Sequence, residues 1–412
     1  MTQTTTVGRW RIGLTAILLA IATLNLRLVW LGNGYAETGY SDFTAFYTAG
    51  KILQHGEAEK LYDLKLQWQM QQEFAQSVQI RVGPLPYIRP AFHSILFLPL
   101  AYLQYRTAYL VWMATKVVLL MLIPFLLRAH LLSNGIFTPW LAVLFSLATV
   151  PIGVDLLQGQ DAVLLLFICV LAFVSAVRGS EFSSGIYLGL GLFKFNLIFP
   201  IIILLALRKK GRMLQGFALA AIILVLISIW LVRWEGLKQY PVYLWHISRT
   251  PGTGVVMPSN MPNLRGLLSF LSFVHVSATF RDLFYVLLVV VGLISTEAIW
   301  KDKTRQRDGL LWIAFAFTLS SALLISPYCS GYDATILILP AFLLAGRGIN
   351  DQLLSSKWKL CLVLSLGFLL FIPVSWNFAG LWAIPLLLFV AFLSRALKAA
   401  NENSLVSASV IR

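Results

Sequence analysis

The chain has 412 residues, of which 58% are hydrophobic and only 12% are charged. A soluble globular domain carries about 25% charged residues, so this composition excludes a chain whose whole surface faces water. The net charge of +15 raises the question of a nucleic-acid partner, but the cations lie in short breaks between apolar runs. That distribution is typical of the cytoplasmic loops of membrane proteins and argues against nucleic-acid binding.

The sequence predicts no metal site and no cofactor. Its three cysteines, Cys169, Cys329 and Cys361, are scattered through apolar surroundings and show no CxxC spacing. The five histidines are equally dispersed, and no HExxH motif occurs. Neither a disulfide framework nor a zinc site fits this pattern.

Apolar runs follow one another along the chain, most of them near the ~20 residues that a helix needs to cross a bilayer. They predict an all-α fold, a polytopic transmembrane helix bundle of about twelve spans that forms a single integral membrane domain over 1–412. The predicted spans are 10–31, 107–127, 136–157, 161–177, 183–207, 213–233, 281–300, 309–327, 331–346, 358–375 and 379–397.

The run 183–207 is unusual because basic residues both precede and follow it. Arg178 and the basic cluster 208–212 each favour the cytoplasmic side, which a single crossing would not allow. We therefore predict a helix pair that rises to about Lys194 and returns, broken near Pro200.

Placing the basic clusters 208–212 and 301–307 in the cytoplasm sets the remaining topology. Residues 32–106 become the first external loop and 234–280 become a second external segment; in a bacterial inner membrane, the location we expect, both are periplasmic. Within the first loop we expect interfacial amphipathic helices, at Ala45–Gln54, Lys60–Gln76 and His93–Tyr105.

This topology collects the conspicuous polar residues of an apolar chain at the external ends of helices. Polar and ionisable groups at membrane depth are costly and therefore indicate functional sites. The residues concerned are Asp42, Arg89, Asp155, Gln158, Gln160, Lys194, Asn196, Asn260, Arg265, Tyr332 and Asp333.

Asp42 and Lys194 are the strongest candidates for chemistry, and each has a simpler alternative. A carboxylate at 42, flanked by aromatic residues just outside the bilayer, would be partly desolvated and a better base. Alternatively, Asp42 only caps the helix that starts near Phe43. Lys194, between Phe193 and Phe195, needs an anion or water nearby, unless it extends to the membrane interface.

Two arginines and one turn complete the candidate set. Arg89 and Arg265 could each hold a phosphate with two parallel hydrogen bonds, or could serve only as anchors at the membrane surface. The stretch Leu157–Asp161 joins two predicted spans on the external side, and its simplest interpretation is a plain turn.

An ordered set of short motifs resembles the C-type glycosyltransferase superfamily and, within it, glycosyltransferase family 87. No single motif is specific, but order and spacing extend over about residues 35–345. The motifs are Ser41-Asp42-Phe43, Tyr47-Thr48-Ala49-Gly50, Leu61-Tyr62, Tyr87-Ile88-Arg89-Pro90, Leu98-Pro99-Leu100, Trp112, Gly159-Gln160, Gly189 to Lys194 with Pro200, Asn263-Leu264-Arg265-Gly266, and Ser326-Pro327 ahead of Pro340.

The resemblance implies the C-type architecture, with the catalytic aspartate of its first external loop at Asp42 and the lysine that follows its glycine-rich helix at Lys194. It also implies transfer of mannose or another hexose, with inversion, from a polyprenyl-phosphate donor to a glycolipid or cell-envelope glycan acceptor. The late motif departs from the family pattern, because Tyr328 stands where a histidine often follows Ser-Pro. We predict that the donor is bound by Lys194, Arg265, Arg89, Gln160, Asn263 and Tyr62, and the candidate acceptor or second polar groups are Tyr332, Asp333 and Asp155.

Three other functions fit the sequence less well. A secondary transporter or flippase usually shows internal repeats and ionisable residues near the bilayer midplane, whereas no repeat is visible here. A non-catalytic assembly protein would leave Asp42 and Lys194 without a role. A different C-type transferase, acting on lipid A or on protein hydroxyls, would use the same architecture.

Overall fold

In the computed structural model, the described residues are 2–31, 34, 39–76, 83–131, 138–249, 258–300, 311–347, 356–373 and 376–409, and their regular elements are all helical. The α-helices are α1 (Thr2–Leu31), α2 (Phe43–Gln54), α3 (Leu64–Glu73), α4 (Leu98–Ala101), α5 (Tyr105–Leu126), α6 (Arg128–Leu131), α7 (Pro139–Ala148), α8 (Val150–Gln158), α9 (Ala162–Val177), α10 (Glu181–Leu190), α11 (Phe195–Leu207), α12 (Gly211–Arg249), α13 (Leu264–Ser269), α14 (Ala278–Trp300), α15 (Leu311–Ile325), α16 (Ile338–Arg347), α17 (Ser356–Phe371) and α18 (Ala383–Ser409). The predicted all-α membrane protein is confirmed.

The predicted count of about twelve spans is not confirmed. Within the described residues, six helices are long and apolar enough to cross a membrane, or up to seven if a bent pair counts as one span. Several other predicted spans are present as shorter apolar helices, at Ala162–Val177, Leu311–Ile325 and Gly331–Gly346.

The predicted span 136–157 is a broken helix, because α7 and α8 meet at an angle of 68°. Pro151 has no N–H group and cannot bond to the carbonyl of Leu147, four residues earlier. The side chain of Asn25 on α1 takes over this role, since its Nδ2 donates to the carbonyls of Leu147 at 2.8 Å and Thr149 at 2.9 Å. The break therefore follows from Pro151 and is stabilised by a side chain of another helix.

Residues 181–207 form α10, a 3₁₀ turn at Gly191–Lys194 and α11 in direct succession, yet the chain reverses within them. The Glu181 carboxylate lies 2.6 Å from the Lys210 ammonium, which brings the start of α10 to the start of α12. A straight helix of that length would separate the two ends by about 40 Å. The reversal falls at Lys194, whose φ of −109° and ψ of 59° are not helical. The predicted helix pair is therefore present, but its break lies at Lys194, and Pro200 lies inside α11.

The first loop folds against the bundle instead of lying flat on its surface. The predicted helices at 45–54 and 60–76 correspond to α2 and α3 with short 3₁₀ turns. Most of α2 is buried, including Phe43, Phe46 and Ile52, so it is an internal helix. The segment 91–101, also apolar, keeps Ile95 and Leu96 exposed.

The C-terminal part of α12 covers this loop. The helix is interrupted at Arg233, where φ is 57° and ψ is 175°, and its C-terminal part runs on to Arg249. From that part, the Tyr240 hydroxyl donates to the carbonyl of Ile88 at 2.8 Å, and the Tyr243 hydroxyl donates to that of Tyr87 at 3.1 Å. The predicted second external segment is thus partly helical and fixes residues 87–88.

The packing of the first loop predicts that 32–106 cannot fold alone. Its buried cluster, which includes Phe43 and Tyr87, continues into Trp112 of α5 and Leu231 of α12. Without these helices the isolated segment exposes its apolar side chains. We expect no cooperative thermal unfolding for the segment in plain buffer, measured by circular dichroism. A sharp, reversible transition of a monomeric fragment would contradict this interpretation.

The predicted orientation can be tested at the turn between α11 and α12, because the second basic cluster, 301–307, lies outside the described residues. We expect Arg212→Cys, in a background with Cys361→Ser to remove the exposed native thiol, to resist an impermeant maleimide in intact cells. The same residue should react after the cells are opened, and a cysteine at exposed Tyr40 should react in both cases. Labelling of position 212 in sealed cells would show that the orientation is opposite to the predicted one.

Candidate active site

Asp42 lies directly before α2, but its side chain does not cap that helix. Its Oδ2 instead accepts a hydrogen bond from Gln160 Nε2 at 2.6 Å, and its backbone N–H donates to Gln158 Oε1 at 3.2 Å. The simpler interpretation of Asp42 as a helix cap is therefore wrong. Burial raises the pKa of Asp42 above its usual value, although the Gln160 hydrogen bond and the cations Arg89 and Lys194 oppose the shift.

Arg89 forms a two-pronged ion pair with Asp161. Its Nε lies 2.9 Å from Oδ2 and its Nη2 lies 2.9 Å from Oδ1 of that carboxylate. Nη2 also donates to Gln160 Oε1 at 3.0 Å, so Gln160 joins Arg89 to Asp42. Arg89 is 6% exposed, and a surface anchor would not be buried in this way.

Lys194 lies between two carboxylates at the reversal of the α10–α11 pair. Its Nζ is 3.0 Å from Asp161 Oδ1 and also donates to Asp333 Oδ1. The ammonium lies 4.7 Å from the centre of the Tyr332 ring, in cation–π contact. Since Lys194 is only 1% exposed, it does not extend to the membrane interface.

Asp161 is the centre of this network, since it holds both cations. Burial alone would raise its pKa, but Arg89 and Lys194 outweigh that effect and hold the pKa of Asp161 well below its usual range. The carboxylate therefore stays ionised at neutral pH.

His93 lies against the same carboxylate without charge. Burial lowers its pKa to about 3, although the nearby Asp161 opposes this shift. Its Nδ1 is 3.2 Å from the Tyr87 hydroxyl, and its Nε2 is 3.4 Å from Asp161 Oδ2. Among the described residues, Nε2 has no hydrogen-bond partner of good geometry.

The segment 326–333 connects Lys194 to a second cation, Arg265. Asp333 at its end also accepts the backbone N–H of Ser330 at 2.8 Å, in a capping box. At its start, the Pro327 carbonyl accepts a bond from Arg265 Nη1 at 3.0 Å. The Arg265 side chain is about one-third exposed, and its only acidic contact among the described residues is Asp282, at 3.4 Å.

Two of the predicted donor-binding residues have structural partners. Asn263 caps α13, since its Oδ1 accepts from the Gly266 N–H at 3.1 Å, and its Nδ2 donates to the Ser326 carbonyl at 2.6 Å. Tyr62 donates to the carbonyl of Arg89 at 3.1 Å and packs against Tyr240. Their predicted contacts with a donor stay predictions.

Helix α5 fixes the turn that holds Asp42. Tyr109, Trp112 and Lys116 lie on one face of it, at spacings of three and four residues. The Tyr109 hydroxyl donates to the Leu157 carbonyl at 2.9 Å, and Trp112 Nε1 donates to the Gly159 carbonyl at 2.8 Å.

Lys116 completes this face by pairing with Asp155, one of the candidate sugar-acceptor groups. Lys116 Nζ donates to the Asp155 carboxylate at 3.0 Å and to its carbonyl at 2.7 Å, and both side chains are fully buried. The other Asp155 oxygen accepts the N–H of Ala162 at 2.9 Å. This pair therefore clamps both ends of the turn 156–161.

Breaking this pair is expected to destabilise the protein. Lys116→Met leaves Asp155 buried and uncompensated, and such losses cost roughly 3–5 kcal/mol. The double variant Lys116→Met/Asp155→Asn removes both charges and retains an acceptor for Ala162. We expect it to recover most of the melting temperature in detergent. Equal melting temperatures for the wild type and Lys116→Met would contradict a stabilising role.

The structure brings Asp42, Arg89, Gln160, Lys194, Tyr332 and Asp333 together, as predicted from the topology. The sequence interpretation missed Asp161, His93 and Lys116. Signals for two of them were present: Asp161 directly follows Gln160, and Lys116 is a lone charge inside an apolar run, which indicates a buried partner. Among the described residues, no three His, Cys, Asp or Glu side chains are arranged to hold a metal ion.

A sequence profile of glycosyltransferase family 87 matches residues 87–327, more than half of the chain. The chain belongs to glycosyltransferase family 87. No curated protein and no solved structure matches it. As a family 87 member, the protein is a membrane glycosyltransferase, and its polar network is the candidate active site.

The family 87 match contains part of this network. Arg89, Gln160, Asp161 and Lys194 lie inside the matched residues, and Asp42 lies outside them. The assignment of Asp42 within this glycosyltransferase therefore depends on its contacts with Gln158 and Gln160.

Proposed function

We propose that this glycosyltransferase moves mannose or another hexose from a polyprenyl-phosphate donor to a hydroxyl of a glycolipid or glycan acceptor, with inversion. Asp42 acts as the general base, on the periplasmic face of the bacterial inner membrane. The observation that carries the proposal is the Asp42 carboxylate, which caps no helix and is fixed by Gln160. Its pKa, raised by burial, suits a base better than an ordinary aspartate would.

The proposed reaction is a single displacement. The acceptor hydroxyl gives its proton to the Asp42 carboxylate while its oxygen forms a bond to the anomeric carbon. On the opposite face, the bond between that carbon and the phosphate oxygen breaks, and the electron pair leaves with the polyprenyl phosphate. Because the phosphate is already a good leaving group at neutral pH, the step requires no acid from the protein.

The net charge of the network indicates whether its cations bind the donor phosphate or position the carboxylates. Asp42, Asp161 and Asp333 carry three negative charges, and Arg89 and Lys194 carry two positive charges, which leaves a net charge of −1. Such a network does not attract a phosphate by itself. We therefore propose that Arg89 and Lys194 mainly position the carboxylates and Gln160.

Arg265 is the better candidate for the donor phosphate. Its guanidinium is partly exposed, and its Asp282 partner is exposed and 3.4 Å away, so the pair contributes little. A cation that meets the developing charge on the leaving phosphate contributes more in the transition state than in the ground state. The link through Pro327 connects Arg265 to the segment that carries Asp333.

A donor assay with the purified protein in proteoliposomes tests the proposal. We expect transfer of labelled mannose or another hexose from a polyprenyl-phosphate sugar to a glycolipid extract, and no transfer from the nucleotide sugar. The anomeric configuration of the new linkage should be opposite to that of the donor. Transfer from the nucleotide sugar would contradict the proposed donor, and transbilayer movement without a product would favour a transporter or flippase.

A further inference from the structure

A crevice of about 460 Å³ lies between α1, α7, α16 and α17, away from the polar network. Its walls are almost entirely apolar and include Leu18, Phe145, Phe342 and Leu366. This volume is in the range of sites that hold small organic ligands. Because the walls are apolar, the crevice suits a hydrocarbon chain.

The crevice is apolar at one end and cationic at the other. Phe371 packs edge-on against Phe145, with ring centres 5.3 Å apart, and forms the apolar end. Lys359 lines the crevice about three helical turns earlier on α17. On α1, Arg11 precedes Leu14 by three residues and so shares its face of the helix.

Arg11, one of the two cations at this end, has a donor that is unpaired within the described part of the chain. The Arg11 Nε atom is buried and lacks a hydrogen-bond partner among the described residues. The four helices that form the crevice contain no aspartate or glutamate in their described spans. A buried donor without an acceptor is costly, and an anionic group at this end would supply one.

The dimensions fit one leaflet of a bilayer. Lys359 and Phe371 are twelve residues apart on α17, or about 18 Å along the helix axis. Half of the hydrocarbon core is roughly 15 Å thick. The crevice is also separate from the active site, since none of its lining residues belongs to the polar network and the nearest one along this segment, Ala341, lies eight residues, or about 14 Å, beyond Asp333.

We propose that this crevice binds an anionic phospholipid of the predicted cytoplasmic leaflet. One acyl chain would lie along α17 toward Phe371, and the phosphate would meet Arg11 and Lys359. Cytoplasmic leaflets are rich in anionic lipids, which makes such a partner available. This inference is independent of the proposed function, because it uses none of the residues of the polar network.

Native mass spectrometry of the full chain tests it. The protein is released from mixed micelles that contain equal amounts of phosphatidylglycerol and phosphatidylcholine with identical acyl chains. We expect the wild type to retain phosphatidylglycerol preferentially. Lys359→Gln should lower that preference about fivefold, as should Arg11→Gln, since each cation near an anionic headgroup contributes on that scale.

A variant that fills the crevice provides a second test of the lipid site. A side chain added at Gly367, which lines the crevice, meets open space, so Gly367→Leu should fill it without a clash. Gly292→Leu on α14 is the matched control, because added atoms there also meet open space. We expect Gly367→Leu to lose the retained lipid and Gly292→Leu to keep it, with unchanged gel-filtration profiles.

Two results would overturn the proposal. Equal retention of the two phospholipids by the wild type would remove the headgroup assignment. Unchanged lipid retention by a folded Gly367→Leu variant would place the lipid elsewhere. If Gly367→Leu does not fold, Lys359→Gln and Arg11→Gln still test the proposal. An unchanged preference for phosphatidylglycerol in both variants would contradict the proposed phosphate contacts.

Discussion

Asp42→Asn is expected to lower the rate of sugar transfer by about 10²–10⁴-fold, the usual contribution of a positioned base. The amide cannot accept the proton of the acceptor hydroxyl. It can still accept the hydrogen bond that Gln160 Nε2 donates to Asp42 Oδ2. Donor binding should therefore change little, which is measured as an unchanged dissociation constant for the polyprenyl-phosphate sugar.

Asp63→Asn is the matched control for this variant. Asp63 lies in the same loop and does cap a helix, since its Oδ1 accepts from the N–H of Lys65 at 2.8 Å and from that of Leu66 at 3.4 Å. Asparagine caps equally well, so this variant should transfer sugar at the wild-type rate. If Asp42→Asn also did so, Asp42 would not be the base, and Asp333 or Asp155 would have to be considered.

The pH dependence of the wild type follows from the same residue. A base works only when it is deprotonated, so kcat/KM should rise with pH through the pKa of Asp42. Burial places that pKa above the ordinary aspartate value of 3.8, and activity is lost as the pH falls through it. The acidic limb should therefore lie at higher pH than an ordinary aspartate would give.

Lys194→Ala is expected to lose most of the turnover while the protein still inserts into the membrane. Its removal leaves Asp161 and Asp333 buried beside each other without the cation they share. Breaking a buried ion pair in this way costs roughly 3–5 kcal/mol, and part of that cost should displace Gln160 and Asp42. Turnover is measured in proteoliposomes, and the amount of inserted protein serves for normalisation.

A double variant separates two roles of Lys194. If the lysine positions the carboxylates, Lys194→Met/Asp333→Asn should recover about tenfold over Lys194→Met, equivalent to ~1.4 kcal/mol of coupling. If the lysine instead binds the donor phosphate, the double variant should be as slow as the single one. In that case our assignment of the phosphate to Arg265 would be wrong.

The sequence predicted the class of fold and the clustering of polar groups because both depend on local patterns. Long apolar runs indicate membrane helices, and the basic residues around 183–207 predicted a helix pair that reverses near Lys194. The position of its break could not be predicted. Pro200 is tolerated inside α11, and the break instead lies at Lys194, whose ammonium contacts the carboxylates of Asp161 and Asp333, both distant from it in the chain.

The sequence did not predict which side chains form ion pairs with one another. Lys194 and Arg89 were expected to meet a ligand phosphate, but both pair with Asp161, which is distant from each in the chain. Likewise, Asp155 pairs with Lys116 of α5. Such pairs depend on how helices pack, and neither periodicity nor composition contains that information.

A structure of the protein with a polyprenyl-phosphate sugar bound tests the central claim most directly. The acceptor hydroxyl must fit between Asp42 and the anomeric carbon. Its oxygen has to lie at hydrogen-bond distance from the carboxylate and in near-contact with the carbon. We therefore predict the anomeric carbon about 6 Å from the Asp42 carboxylate, with the phosphate on the opposite face of the sugar and in contact with Arg265. A sugar bound beyond reach of Asp42, or a phosphate on the same face as that carboxylate, would contradict the proposed mechanism.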